Sequence, residues 1–292
     1  MPDIVKTDGT VEPWDGTKLV RSLVRAGATE TAAERIRTTI EATITPTEQS
    51  SIIYRRAFAM LRREGRATAA RYSLRRALFE LGPTGHPFED FVSELFKTEG
   101  WTVLPRQLLQ GKCVTHEVDV SAVRGDEHLA AELKYHNNPG YKTDVKVALY
   151  VKARMDDIWA SAACKTGEQR IDTGMLITNT KFTKQAIDYA SCAGLTLLGW
   201  SYPHHGSLYD RIVASGLYPI TALTTLRKAE KRLLIDKGIS TTELLRQNRS
   251  LLREAGITPE RIGGIIAEVE TLRDTSKDVQ LHRDQVGPPT SP

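Results

Sequence analysis

Cysteine is scarce in this sequence. Cys113, Cys164 and Cys192 stand far apart in 292 residues, with no Cys-x-x-Cys pair and no Cys/His spacing suited to zinc. That excludes a disulfide framework and a structural zinc site, and leaves ordinary thiols in a reducing compartment. Long apolar runs are missing too: nothing approaches the roughly 20 residues that cross a bilayer. The opening Met1-Pro2-Asp3-Ile4-Val5-Lys6 is charged and turn-rich, unlike an apolar leader, so no membrane partner is expected and the cytoplasm is the expected compartment. No Gly-x-x-x-x-Gly-Lys-Ser/Thr loop occurs, which argues against a nucleotide used as fuel by a P-loop. Charge of neither sign dominates: 40 Lys and Arg against 36 Asp and Glu give a net +4. That balance suits a polyanionic partner without requiring one.

What is present divides the chain. In residues 1–82, the strand-like runs Ile4-Val5-Lys6-Thr7 and Thr10-Val11-Glu12-Pro13-Trp14 flank Asp8-Gly9, a dipeptide suited to a tight hairpin. Helical patterns follow from Asp15 to Gly27, Thr31 to Ala42, and Ala67 to Leu81. Between the last two, Thr45-Pro46-Thr47-Glu48 offers an N-cap, a first-turn proline and a capping-box glutamate for a helix that Gly65 stops. The breaker cluster from Leu81 to Pro87 marks a boundary.

A second unit, 86–203, opens with a helix from Phe88 to Thr98 that carries Phe88, Phe91, Val92, Leu95 and Phe96 on one face. Strand patterns at 101–104, 116–121 and 129–135 precede a long helix from Val145 to Ala163. A buried strand at 175–178, a helix at 184–193 and a strand at 195–200 complete an α/β sandwich. Residues 221–273 read as a small helical domain, and 274–292 as a polar, proline-bearing disordered tail. The expected fold class is multi-domain α/β: a mostly helical N-terminal unit with a small β-hairpin, a central α/β/α unit with a mixed sheet, and a small helical C-terminal unit.

The chemistry concentrates in the central unit. Asp119 lies in the strand-like run Glu117-Val118-Asp119-Val120, and Glu132 and Lys134 lie in the next one. Residues two apart on a strand face one side, so Glu132 and Lys134 project together. A hairpin through Arg124-Gly125-Asp126 would set Asp119 beside Glu132. Two carboxylates and an ammonium at one sheet edge suit a hard cation, Mg²⁺ or Mn²⁺, and phosphodiester chemistry. Taken alone, the same trio is also what a surface salt-bridge cluster looks like.

This stretch resembles the PD-(D/E)xK nuclease superfamily, and more closely the Mrr-like restriction endonucleases. The matching segments are Phe88-Glu89, Gly100-Trp101, Glu117-Val118-Asp119-Val120, Glu132-Leu133-Lys134, and Ile177-Thr178-Asn179-Thr180-Lys181-Phe182-Thr183 with Ala186 and Ala190 after it. The resemblance implies a restriction-endonuclease-like fold, with Asp119 and Glu132 as metal ligands, Lys134 as catalytic lysine and Glu89 approaching from the first helix. Many Mrr-like members carry glutamine where Glu132 stands, and glutamate restores the wider superfamily's form. His116 and His136 flank the motif strands and read as half-buried.

The N-terminal unit resembles an ATP-cone, the regulatory module of ribonucleotide reductases and of their transcriptional repressor. The resemblance rests on Val5-Lys6-Thr7-Asp8-Gly9, Glu12-Pro13-Trp14-Asp15-Gly16-Thr17-Lys18, and Ala69-Ala70-Arg71-Tyr72-Ser73-Leu74-Arg75. It implies ATP or dATP as an effector, with Lys6, Glu12, Trp14, Asp15, Lys18 and Leu19 as contacts. Thr7 stands where arginine is common in that family. The alternative reading is a basic helical face turned to DNA. The C-terminal helices, with turns at Lys237-Gly238-Ile239 and Ala255-Gly256-Ile257, look like a helix-hairpin-helix domain that grips DNA phosphates, or else a dimerisation bundle.

The expected function is therefore a metal-dependent DNA endonuclease regulated by adenine nucleotide and acting as a homo-oligomer. The rival is a non-catalytic, nucleotide-responsive DNA-binding regulator, against which the complete Asp119/Glu132/Lys134 set speaks.

Overall fold

The computed structural model describes residues 2–6, 9–167 and 169–286, with side chains to residue 274. Its fold is mixed α/β, with a helical N-terminal part, a central five-stranded sheet and a helical C-terminal part.

At the N-terminus β1 (Asp3–Val5) pairs antiparallel with β2 (Val11–Pro13). Thr7 and Asp8 of the expected turn lie outside the described residues. Gly9 takes φ 84, a left-handed conformation that glycine adopts without penalty. Helices α1 (Gly16–Arg25) and α2 (Glu30–Glu41) start where the caps Asp15 and Thr29 accept from Thr17 N–H and Ala32 N–H.

The third helix departs from expectation. Glu48 does accept from Thr45 N–H at 3.1 Å, as a capping box would. However, Thr47 has φ 63, and Glu48–Gln49 form β3, which pairs parallel with Ile4 and Val5. Sheet pairing overrides the local helix signal, and α3 spans Ser50–Glu64. Gly65 separates it from α4 (Arg66–Phe79).

Helix α5 (His86–Thr98) leads into the antiparallel strands β4 (Thr102–Gln110), β5 (Thr115–Arg124) and β6 (Glu127–Lys134). The short β7 (Lys142–Thr143) precedes α6 (Val145–Ala160). Ser161 turns extended and caps the separate α7 (Ala162–Thr166), so the expected single helix breaks there. Strand β8 (Thr173–Thr178), β9 (Lys181–Phe182), α8 (Lys184–Ala193) and β10 (Thr196–Leu198) follow. The sheet order β10-β8-β6-β5-β4 is mixed, with β6, β8 and β10 parallel.

After α9 (Leu208–Ser215), which no sequence pattern announced, come α10 (Lys228–Asp236), α11 (Thr242–Gln247), α12 (Ser250–Glu254) and α13 (Pro259–Val286). Helix α13 runs past the expected start of a tail at 274, as no glycine or proline falls between Asp274 and Gly287. Residues 287–292 lie outside the described set.

Two buried layers sandwich the sheet. Val120, Ala122, Leu129, Ala131 and Leu133 pack toward α5, and that core continues through α4 into the C-terminal helices. On the other face Val118, Ala130 and Leu176 meet Val151, Met155 and Ile158 of α6. The expected division at 82–86 thus crosses a connected core.

In the C-terminal part the buried Glu268 of α13 accepts from the backbone N–H and hydroxyl of both Thr224 and Thr225, at 2.6–2.9 Å. Glu268→Ala would orphan two backbone donors, and should lower unfolding free energy by about 3 kcal/mol in urea titrations. A change below about 1 kcal/mol would mean that water replaces the carboxylate there.

Candidate active site

Strands β5 and β6 pair only from Arg124↔Glu127 to Val120↔Ala131, while β6 continues beside β8 to Lys134↔Thr178. Beyond Val120 the antiparallel ladder opens. Leu133 N–H donates instead to the Asp119 side chain, at 2.6 Å to Oδ2. The alternation of faces slips at the same point: Val118 packs toward α6 and Val120 toward α5. Arg106, between the partners of Val118 and Val120 on β4, takes φ 51. This local slip turns the Asp119 carboxylate to the fork of the strands.

Glu132 sits on the α6 face of β6 and is 4% exposed. Its Oε1 receives Lys134 Nζ at 2.6 Å and its Oε2 receives Arg154 Nη1 of α6 at 2.6 Å. Arg154 also donates through Nη2 to the Glu117 carbonyl, tying α6 to β5. Burial and the neighbouring Glu132 charge push the Asp119 carboxyl up to about 6, with Glu89 adding to the effect. Leu133 N–H and Lys134 oppose it. Glu89, in the first turn of α5, is paired with Arg106 Nε at 3.3 Å and His86 Nδ1 at 3.2 Å.

The structure therefore brings Asp119, Glu132 and Lys134 together, with Glu89 close enough to act electrostatically on Asp119. Sequence reading missed Arg154 and Arg106. The trace of Arg154 was slight: one cation bordering the Val151-Met155-Ile158 stripe. Arg106 left none, because its unusual backbone arises from the strand slip.

The segment after Lys134 is pinned by buried polar side chains. Thr178 Oγ1 donates to Lys134 O at 2.8 Å, and Asn179 brackets the His136 backbone with two bonds of 2.9 Å. Thr178, Asn179 and Thr180 are fully buried, which is why this polar run follows a hydrophobic strand. His136 is half-buried and bonded to Thr143 Oγ1 at 3.0 Å; burial, then Lys134, lowers its pKa. His116 meets Asp157 Oδ2 at 2.8 Å, on the α6 side of the sheet.

Lys6, Glu12, Trp14, Asp15, Lys18 and Leu19 all line one cavity of about 140 Å³ in the N-terminal part. Lys6 Nζ and Lys18 Nζ approach Glu12 Oε1 at 2.8 and 3.3 Å, and these pairings, Lys6 foremost, lower the Glu12 pKa. Trp14 is fixed by its indole N–H to Glu41 Oε1 at 3.1 Å. Asp15 also serves as the α1 cap and Leu19 is core, so those two have structural duties besides. A neighbouring cavity of about 310 Å³ shares Lys6 and reaches Ser50 and Ser51 at the start of α3.

Known proteins match this architecture. Residues 82–199 fit the restriction endonuclease family with an Mrr-type catalytic domain, and residues 218–273 fit the AF1548-like C-terminal family. An uncharacterised protein of Archaeoglobus fulgidus is 31% identical over 181 residues, which are 62% of this chain and 99% of that protein. The crystal structure of AF1548, a protein of unknown function, superposes with a TM-score of 0.52 at 30% identity, covering 66% of this chain and all of that one. The chain belongs to the AF1548-like family with a restriction-endonuclease domain. In this AF1548-like protein the endonuclease domain contains the strand fork, and the C-terminal family domain contains the helices that Glu268 secures. An endonuclease domain implies nuclease chemistry on DNA at the level of the family. Among the described residues no helix is long and apolar enough to cross a membrane.

The raised Asp119 pKa carries a sign. Its ordinary value is 3.8, and the fold favours the protonated acid. That contribution is complete below about pH 4 and is lost as pH rises through about 6. Asp119→Asn keeps an acceptor for Leu133 N–H. In EDTA near pH 7.5 it should exceed the wild type by about 1–2 kcal/mol after allowing for solvent screening, with the gap closing near pH 4. A less stable Asp119→Asn at the higher pH, in urea melts, would mean that the carboxylate is held by net attraction.

Proposed function

We propose that this protein is a metal-dependent DNA endonuclease, with Asp119 and Glu132 as ligands of Mg²⁺ or Mn²⁺, Lys134 as the catalytic cation and Glu89 as an auxiliary acid. The observation that carries the reading is the meeting of two carboxylates and one ammonium where β5 and β6 part. The donor set suits a hard cation: two acids whose mutual repulsion helps raise the Asp119 pKa would be relieved by positive charge between them. Among the described residues no group of three or more His, Cys, Asp or Glu side chains is arranged to hold a metal. The remaining ligands would come from water and phosphate, as Mg²⁺ prefers. When bound, the ion supplies Lewis acidity and a water of lowered pKa.

The chain's own groups do the positioning. Leu133 N–H fixes Asp119, and Arg154 and Lys134 hold opposite oxygens of Glu132. Asp119 and Glu132 would hold the cation, and Lys134, beside Glu132, would set its charge toward the phosphodiester, where it would stabilise the transition state and orient the attacking water. Buried Thr178 and Asn179 keep the backbone around that lysine from shifting.

The proposal extends to regulation. Residues 1–82 would act as an ATP-cone that takes ATP or dATP, with the base against Ile4 and Trp14 and phosphates toward Lys6 and Lys18. All six expected contacts lining one cavity supports this. Tyr135, next to Lys134, has its hydroxyl within hydrogen-bond distance of the carbonyls of Phe79 and Gly82, at and just past the end of α4, at 2.8 and 3.0 Å, which supports a coupling of the two parts. The homo-oligomer and the DNA-gripping role of the C-terminal helices belong to the same proposal.

Lys134→Ala should lower Mg²⁺-dependent plasmid nicking by about 10²-fold or more. Equal nicking by variant and wild type would remove the mechanism, and DNA binding without any nicking would favour the non-catalytic regulator. ATP at about 100 times its Kd should stabilise the wild type by about 2.7 kcal/mol, and Lys18→Ala should abolish that gain at the same concentration.

A further inference from the structure

Exposed aromatic rings are rare on this protein. Among the described Phe, Tyr and Trp side chains, only Tyr141 and Tyr150 are exposed, at 45% and 56%. Both adjoin the candidate active site. Tyr141 stacks on His136 with ring centroids 4.1 Å apart, and burial, then the Lys134 charge, acts on that histidine. Tyr150 stands on α6 one turn before Arg154. The Arg154 guanidinium lies 5.5 Å from the Tyr150 ring centroid, while its Nη1 holds Glu132 at 2.6 Å. One ring thus reaches the site through the neighbour of Lys134 and the other through the neighbour of Glu132. Single exposed apolar residues are ordinary on a surface, but these two are the exposed aromatics and share one place.

Both rings are held rather than loose. His136 is fixed by Thr143 Oγ1 at 3.0 Å and by the Asn179 bonds to its backbone. The chain then turns on Asn138, whose Oδ1 accepts from Gly140 N–H at 2.9 Å and whose carbonyl accepts from Tyr141 N–H at 3.1 Å. That turn presents the Tyr141 ring. Arg154, bonded to both Glu132 and the Glu117 carbonyl, backs Tyr150. Leu149, 46% exposed, extends the apolar surface beside it. Lys142 and Lys146 are exposed nearby, and Asp144 turns its carboxylate to the N–H groups of Lys146 and Val147 at the start of α6. Rings already ordered lose little freedom when they gain a partner.

In a paired duplex each base face is covered by its neighbours, whereas an unpaired base offers a face to a ring. We propose that the site takes DNA with unpaired bases next to the scissile phosphodiester, as at a single-stranded flap, and that Tyr141 and Tyr150 stack those bases. Lys142 and Lys146 would meet the backbone phosphates on either side. This names the substrate class of the nuclease and rests on that reading for the choice of DNA, while the stacking itself is measured without cleavage.

Fluorescence anisotropy with the full-length protein in EDTA tests it, comparing a duplex that carries a single-stranded flap with a blunt duplex of equal paired length. The flapped DNA should bind about tenfold more tightly or better. Tyr141→Ala and Tyr150→Ala should each cost about tenfold in affinity for the flapped DNA, the worth of one stacked base, with the blunt duplex unchanged. Tyr141→Phe and Tyr150→Phe keep a ring and should bind as the wild type does. Tyr150 is exposed on a helix, so its variants answer even if Tyr141→Ala disturbs the turn. Equal wild-type affinity for the two DNAs overturns the proposal. So does an unchanged flap affinity in Tyr150→Ala, and so does an equal loss on both DNAs, which would assign the rings to paired DNA. Nicking by the wild type and Lys134→Ala in Mg²⁺ is read separately: its absence from both removes the nuclease and leaves the flap preference standing.

Discussion

A backbone N–H in the middle of a sheet must find an acceptor, and Leu133 finds one in the Asp119 side chain because β5 has already turned away. That substitution has two consequences. It lets β5 and β6 diverge without leaving an orphaned amide, and it clamps an acid at the point of divergence. The cost falls on Asp119, which burial and Glu132 push toward the protonated form. The opening and the fixed acid follow from one hydrogen bond, while burial and Glu132 raise the acid's pKa against it.

Around that bond the protein builds outward in layers. Arg154 reaches from α6 to hold Glu132 and the Glu117 carbonyl, so the helix that covers the sheet also sets the geometry of its fork. The buried Thr178-Asn179-Thr180 run secures the backbone just past Lys134. Tyr135 then ties it to the end of α4. Arg75, through the Pro139 carbonyl, adds a second bond between α4 and the segment that follows the lysine.

Much of this could be read in the chain. The Glu132-x-Lys134 spacing puts both groups on one face by strand geometry alone, and Gly125-Asp126 between the strands does form the expected hairpin turn. Helix α8 has the bounds its pattern announces. Misreadings came where pairing outweighed local preference. A capping pattern at Thr45–Glu48 was drawn into a strand beside β1, and the long helix after Asp144 broke at Ser161. The run from Thr178 to Thr180, read as a strand end and a family segment, proves fully buried.

The amino-acid order by itself determined which residues share a face, where most helices begin, and that two acids and a lysine stand at the end of neighbouring strands. These are local consequences of a period of two or 3.6 residues and of cap chemistry. Only the tertiary structure decided that Asp119 takes an amide from the adjacent strand, that Arg154 and Arg106 attend the acids, and that α4 shares its core with the sheet and the C-terminal helices. Each of those depends on groups far apart in sequence meeting in a low-dielectric interior, where an unsatisfied charge or amide selects its partner by distance and direction.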